Sequence, residues 1–340
     1  MKNTAKFSSF SKKIAGWAAM PALILFLLFL FINGRMMSGS INRYFIEGFL
    51  STNAPAICIA IGVSAAILSG GIDISLGAIV SMVNVIIVWL CESLGLNVFA
   101  AAIIGLVIGL LAGVFNGLVI AVLRVTPLLA TFASSAIFSG IALWIRPYPG
   151  GSIPGELNSF YNSRIFNVIP MPLIVLLLPL AVFLVLKKTP IGTYVYAIGK
   201  DEKKAYASAV NLTKVKLLVY TFAGFAAGVA GVAMSASISA GDPLAGNMMG
   251  MTSIAAAVIG GISLSGGKGD VWGAVFGSMF LSILISTVVS ANINSFMQSL
   301  VNGLILLVAL ILAVFIGNRG EILAMHKKIK KPTRGVQNGQ

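Results

Sequence analysis

Few residues in this chain can do chemistry. Its 340 residues include nine carboxylates, two cysteines and one histidine. Asp73 has the most unusual setting, within Gly70-Gly71-Ile72-Asp73-Ile74-Ser75-Leu76-Gly77 and with apolar residues on both sides. A glycine pair lets a backbone leave a helix and bend tightly. Asp73 then fits as the N-cap of the following helix, accepting from amides near Ser75 and Leu76. The turn Gly70, Gly71, Asp73, Ser75 and Gly77 is therefore read as structural, in preference to a role for Asp73 on substrate. Residues 260–267 read Gly-Gly-Ile-Ser-Leu-Ser-Gly-Gly and share the pattern G-G-I-x-[I/L]-S-x-G. A parallel internal repeat and coincidence in a chain of 37 glycines both stay open as the cause.

Other chemistry is excluded. A phosphate-binding P-loop needs G-x-x-x-x-G-K-[ST]. Gly261 and Gly266 are correctly spaced, but Gly267 stands in the lysine place and no Ser or Thr follows. Cys58 and Cys91 lie in apolar runs and offer neither a disulfide framework nor metal spacing. His326 lies in a charged tail. No nucleophile–base–orienter set exists, so an enzyme is not expected. Neither is a metal, nor a cofactor of the chain's own.

The elements that position these residues follow from composition. Apolar residues make up 58% and charged residues 9%, against about 25% charged in a soluble protein. A soluble fold could not cover its surface with so few charges, and disorder requires the opposite composition. The expected fold is all-α and polytopic, with about ten transmembrane helices. The apolar runs are 14–32, 48–69, 74–91, 97–123, 127–145, 167–186, 215–239, 251–264, 270–290 and 296–317. The first is too long for a signal-peptide core. The eighth is short and glycine-rich, so a full crossing is left open. Ten spans with an inner N-terminus place both termini in the cytosol. Nineteen of the 23 Lys and Arg then face inward, as the positive-inside rule asks. The net charge of +14 thus reports topology and not nucleic acid. The domains are a cytosolic segment 1–13, a transmembrane domain 14–317 and a basic cytosolic tail 318–340 suited to anionic membrane lipid. Two loops are long: 146–166 outside and 187–214 inside.

Eight of the nine acids fall at one face or the other, which leaves the interior almost without titratable groups. Proton pumps, redox enzymes and voltage sensors need such groups. The spans carry amides and hydroxyls instead. Asn53, Asn84, Asn116, Thr131 and Asn302, with Phe132 for stacking, are candidates to line a path for a neutral polar solute such as a sugar. The alternative is that they bond between helices. Gly105, Gly109, Gly113 and Gly117 recur every fourth residue, a smooth face for close helix approach.

In the inner loop, residues 197–211 read Ala-Ile-Gly-Lys-Asp-Glu-Lys-Lys-Ala-Tyr-Ala-Ser-Ala-Val-Asn. Gly199 ends what precedes, and Asp201 and Glu202 suit the positive end of a short helix. Ala205 with Ala209, and Tyr206 with Val210, form a small apolar strip. Such a helix is a knob for a partner's groove or a solvated connector.

Together these segments resemble the permease subunits of bacterial ABC importers for simple sugars, such as ribose and galactose. Residues 70–77 are similar to the family's GGIDLSVG turn. Asn116-Gly117 followed by Thr126-Pro127-Leu128-Leu129-Ala130-Thr131 is similar to NG…PPFIATL. Residues 197–211 resemble the AIGGNxEAARLSGIN loop, and residues 268–277 resemble GxGTVWGTVLG. The likeness runs in order from about 45 to 317. It implies a type II-like importer permease fold in the bacterial inner membrane. It implies a second permease, identical or different, and a periplasmic sugar-binding protein. A separate ABC ATPase subunit would carry ATP and Mg. It also implies that Gly199, Asp201, Glu202, Ala205, Tyr206, Ser208, Ala209 and Asn211 couple to that ATPase. Ala209 stands where the family has Gly, Tyr206 where it has Arg and Lys204 where it has Ala. Members also carry autoinducer, furanoses and nucleosides. A secondary transporter would need an ion-coupling carboxylate in mid-span. A purely structural membrane protein leaves the ordered amides and glycine turns unexplained.

Overall fold

The computed structural model describes residues 19–36, 41–291, 294, 297, 300, 301, 303, 304, 307, 308 and 311. The segment 1–13, Asn302 and the tail 318–340 lie outside the described residues.

The elements are α1 (Met20–Met36), α2 (Arg43–Leu68), α3 (Leu76–Leu94), α4 (Val98–Ala121), α5 (Pro127–Ile145), α6 (Gly155–Tyr161), β1 (Arg164–Ile165), β2 (Ile169–Pro170), α7 (Met171–Lys188), α8 (Pro190–Lys200), α9 (Glu202–Ala207), α10 (Leu212–Ile238), α11 (Asn247–Ile259) and α12 (Val271–Ser290). Among the described residues, seven helices, α2, α3, α4, α5, α7, α10 and α12, are long and apolar enough to cross a membrane. The chain is thus mostly helical and polytopic. Among the described residues the departures from all-α are a short antiparallel hairpin pairing Ile165 with Ile169 and Arg164 with Pro170, and an isolated bridge between Gly150 and Gly241. The hairpin delays α7 until Met171, four residues into the apolar run. α11 has 13 residues. At 1.5 Å per residue that is about 20 Å, less than the roughly 30 Å of a hydrocarbon core.

Helix starts follow side-chain chemistry. The Asn42 side chain accepts from the Phe45 N–H at 2.8 Å, and Asn97 from the Phe99 N–H at 2.9 Å. Each satisfies an amide that the helix itself leaves unpaired. Pro127 opens α5, where a missing N–H costs nothing.

The centre of the bundle is α2, α3 and α10, whose apolar faces are mostly buried, while α5 and α7 are largely exposed. The glycine face of α4 meets α10. A Cβ on Gly109 would stand 2.5 Å from the Gly228 Cα, and one on Gly113 2.8 Å from the Gly224 Cα. Without an internal hydrophobic driving force in lipid, close backbone approach is what holds such helices together.

Between α10 and α11 the chain does not stay at one face. The Asp242 N–H donates to Asn84 Oδ1 at 2.7 Å, and the Gly246 N–H to Ser81 Oγ at 2.8 Å. The connection therefore runs back along α3 from its middle, so Asp242 sits level with mid-α3 and not at a helix end. Irregular backbone at such depth needs its polar groups satisfied by protein, and Asn84 and Ser81 do this.

Candidate coupling site

Both glycine turns begin with the same helix stop. At the end of α2, the Gly70 N–H donates to Ile67 O at 2.9 Å and the Gly71 N–H to Ala66 O at 3.0 Å. At the end of α11, the Gly261 N–H donates to Val258 O at 2.9 Å and the Ile262 N–H to Ala257 O at 3.0 Å. These are Schellman pairs, which place the residue after the cap in the left-handed region. Gly70 has φ +84° and Gly261 has φ +83°. The shared sequence pattern aligns Gly70 with Gly260, so the two stops are displaced by one residue relative to it.

The two turns meet at Gly199. The Gly267 N–H donates to Leu68 O at 3.0 Å, tying the second turn to the end of α2. Gly199, in the last turn of α8, fills the remaining space. A Cβ there would overlap the Leu68 carbonyl oxygen and come within 2.5 Å of the Gly267 nitrogen. A Cβ on Gly266 would stand 2.8 Å from the Gly199 carbonyl oxygen and from the Gly70 Cα. Four glycines thus join three chain segments backbone to backbone. Around them Lys187 Nζ bonds Asp270 Oδ2 at 2.7 Å, and the Tyr196 hydroxyl donates to Gly269 O at 3.2 Å. Burial and the Asp270 charge push the Tyr196 hydroxyl up to about 12, so it stays a donor.

α9 projects beyond this junction. Asp201 ends α8 and caps α9, its Oδ1 accepting from the Lys204 N–H at 3.0 Å. That bond, with the Lys204 ammonium at 3.1 Å, holds the Asp201 carboxyl below its usual range. Glu202 pairs with Lys216 at 2.7 Å and ties α9 to α10. Asn211 caps α10 through the Lys214 N–H at 3.0 Å. The apolar strip read from the sequence is split. Ala205 and Val210 are buried, whereas Ala209 is exposed and Tyr206 is 72% exposed. The reason is that α9 stops at Ala207 with a third Schellman pair, Ala209 N–H to Tyr206 O at 3.0 Å and Val210 N–H to Ala205 O at 3.2 Å. Ala209 takes φ +60°. Ser208, also exposed, is the C-cap. Beside α9 lies a cleft of about 840 Å3 between Glu202, Tyr206, Asn211 and Lys216 on one wall and Arg124 and Pro127 on the other.

Residues 45–314 match the family described as branched-chain amino acid transport system / permease component. The chain belongs to that family. The permease is 34% identical over 221 residues to the ribose import permease protein RbsC of Bacillus subtilis, covering 63% of this chain and 67% of that one. It is 34% identical over 220 residues to the RbsC of Haemophilus influenzae, covering 63% and 68%. It is 31% identical over 222 residues to the autoinducer 2 import system permease protein LsrC of Yersinia pestis strain Pestoides F, covering 64% and 62%. No solved structure matches it.

Among the described residues, the solute-path candidates do not gather in one place. Asn116 Nδ2 donates to Ser75 Oγ at 2.7 Å. Ser75 gives both its N–H and its hydroxyl to Asp73 Oδ1, at 2.9 and 2.6 Å. Thr131 Oγ1 accepts from the Ile74 N–H at 3.3 Å and lies 3.2 Å from the Ile72 carbonyl. Asn116 and Thr131 thus hold the first glycine turn, and the turn sits where Gly77 contacts Gly246. The Asp73 cap reading meets this geometry in part. The carboxylate takes the Ser75 amide, but Ser75 itself occupies the cap position of α3. Asn84 holds the α10–α11 connection, donating to Ser235 Oγ at 2.9 Å and Ala240 O at 3.0 Å. Asn53 borders an open groove of about 360 Å3 with Tyr44, Phe49 and Ser282. Phe132 is exposed on α5. Gly266 and Gly267 of the second glycine pattern complete the junction with Tyr196 and Lys187. The last two were not singled out from sequence.

Proposed function

We propose that the permease is the membrane subunit of an ATP-binding-cassette importer that moves a simple sugar, of pentose, hexose or furanose class, into the cytoplasm. It resides in the bacterial inner membrane with α8 and α9 on the cytosolic side. It pairs with a second permease and receives solute from a periplasmic binding protein. A separate ATPase, with its ATP and Mg, docks on α9 and the exposed residues Glu202, Tyr206, Ser208 and Ala209. The likeness to ribose and autoinducer 2 import permeases supports the solute class.

The observation that carries this reading is the backbone contact of Gly199 with the ends of α2 and the second glycine turn. A projecting α9 on a flexible tether would dissipate any push from a partner. Here the push on α9 passes through Asp201 to α8, and through Gly199 to the end of α2 and the second glycine turn at once. Packed elements of this kind shift between discrete arrangements and do not bend continuously. Closure of the ATPase pair on ATP would move α8 and α9 and thereby tilt α2 and α11 against α3, switching access to the solute path.

The test is reconstitution with the ATPase encoded alongside it. Liposomes containing the complex should take up ribose only with internal ATP and binding protein present. Uptake by the permease alone, without ATP, would overturn the reading in favour of a secondary transporter.

A further inference from the structure

Beneath the first glycine turn lies a buried polar cluster that the coupling mechanism does not use. Asp73, Ser75 and Asn116 are completely or almost completely buried, and so is Tyr220 of α10. Asp73 Oδ1 is satisfied by Ser75. Asp73 Oδ2, Asn116 Oδ1 and Tyr220 Oη have no hydrogen-bond partner in the protein. The Tyr220 hydroxyl lies against Gly71, where a Cβ would overlap it. No Lys or Arg among the described residues pairs with Asp73, and the lysine nearest in sequence to Tyr220, Lys216, pairs with Glu202. The positive end of α3 and the negative end of α2 meet at this same turn, so the helix dipoles offset each other there.

An intramembrane carboxylate without a charged partner marks a functional site by default. A water molecule would satisfy hydrogen bonds but leave the charge. A proton on Oδ2 would also remove the charge, and it predicts an unfolding midpoint that follows pH and ignores the cation. A divalent ion would leave a buried positive charge beside a single carboxylate. We propose that Asp73 Oδ2, Asn116 Oδ1 and Tyr220 Oη bind one monovalent alkali cation, which neutralises Asp73 and locks the first glycine turn to α4 and α10. All three are hard oxygen donors, the type that alkali and alkaline-earth ions prefer. The ion is a structural part of the turn on which Gly199 rests.

The test uses the purified full chain in nanodiscs. Its thermal unfolding is followed by tryptophan fluorescence at fixed pH and ionic strength, in sodium, potassium or choline chloride. The midpoint is expected to rise saturably with sodium or potassium relative to choline. Asp73→Asn should abolish that rise while still unfolding cooperatively, and Tyr220→Phe should raise the half-saturating concentration several-fold. Equal midpoints in all three salts would overturn the proposal. So would a cation response retained by Asp73→Asn, or a midpoint that follows pH and ignores the cation. If Asp73→Asn does not fold, Tyr220→Phe decides alone, and an unshifted half-saturation overturns the site.

Discussion

Gly199 and Leu68 touch backbone to backbone. The last turn of α8 presses on the final carbonyl of α2, and any side chain at 199 would overlap that oxygen. An alanine in a helix usually stabilises by about 0.5–1 kcal/mol over glycine. Gly199→Ala should do the reverse, costing about 1–3 kcal/mol as overpacking does, and ATP-driven uptake should fall sharply. Thermal unfolding and uptake on the same sample check this. A neutral or stabilising effect would show that α8 is not keyed to α2.

Ala209→Gly should act in the opposite direction. An L-residue with a Cβ in the left-handed region costs roughly 1–2 kcal/mol, and φ at Ala209 is +60°. Glycine there should slow amide exchange at Val210 and Asn211 several-fold. The gain should be confined to that stretch, because Ala209 is exposed and packs nothing behind it.

These two positions also show how legible the chain was. Helix order could be read because apolar runs of span length have no soluble explanation. The glycine face of α4 was readable from its spacing. The role of Ala209 was visible only as a departure from a family glycine, and its backbone angle supplies the physical reason. What could not be read was pairing. Asn84, Asn116 and Thr131 look alike in a hydropathy plot, and only the return of the 239–246 segment along α3 shows which backbone each one satisfies. The meeting of 70–71 with 266–267 joins segments nearly two hundred residues apart, beyond the reach of any local signal.

Asn84→Ala should unseat that returning segment. It removes an acceptor from the Asp242 N–H and a donor from Ser235 and Ala240. Leaving buried groups unpaired costs about 1–3 kcal/mol each at most. Thermal unfolding should drop by an amount in this range, and a cysteine placed at Leu244 should label faster with a membrane-impermeant maleimide. Unchanged stability would mean that the segment is held by Gly77 and Ser81 alone.

Asp201 carries a pH dependence. Its carboxyl is held below the ordinary value by the Lys204 N–H, so the unfolded segment binds a proton more readily than the folded one. The stabilisation is present above the ordinary value of 3.8 and is lost as pH falls below it through the lowered folded value. Exchange of the Lys204 and Ala205 amides should accelerate in that acid window. Asp201→Asn, which keeps a capping oxygen, should leave exchange near neutral pH little changed and remove the acid dependence.

The central claim is that α9 is the surface a partner ATPase grips, while Gly199 passes its motion inward. Purification of the tagged permease in mild detergent, with quantitation of the associated ATPase, tests it most directly. Tyr206→Ala alters only an exposed side chain and should leave the fold intact while reducing the recovered ATPase. Ala205→Arg forces a charge into a buried position and should abolish recovery. Undiminished ATPase in both variants would contradict the account.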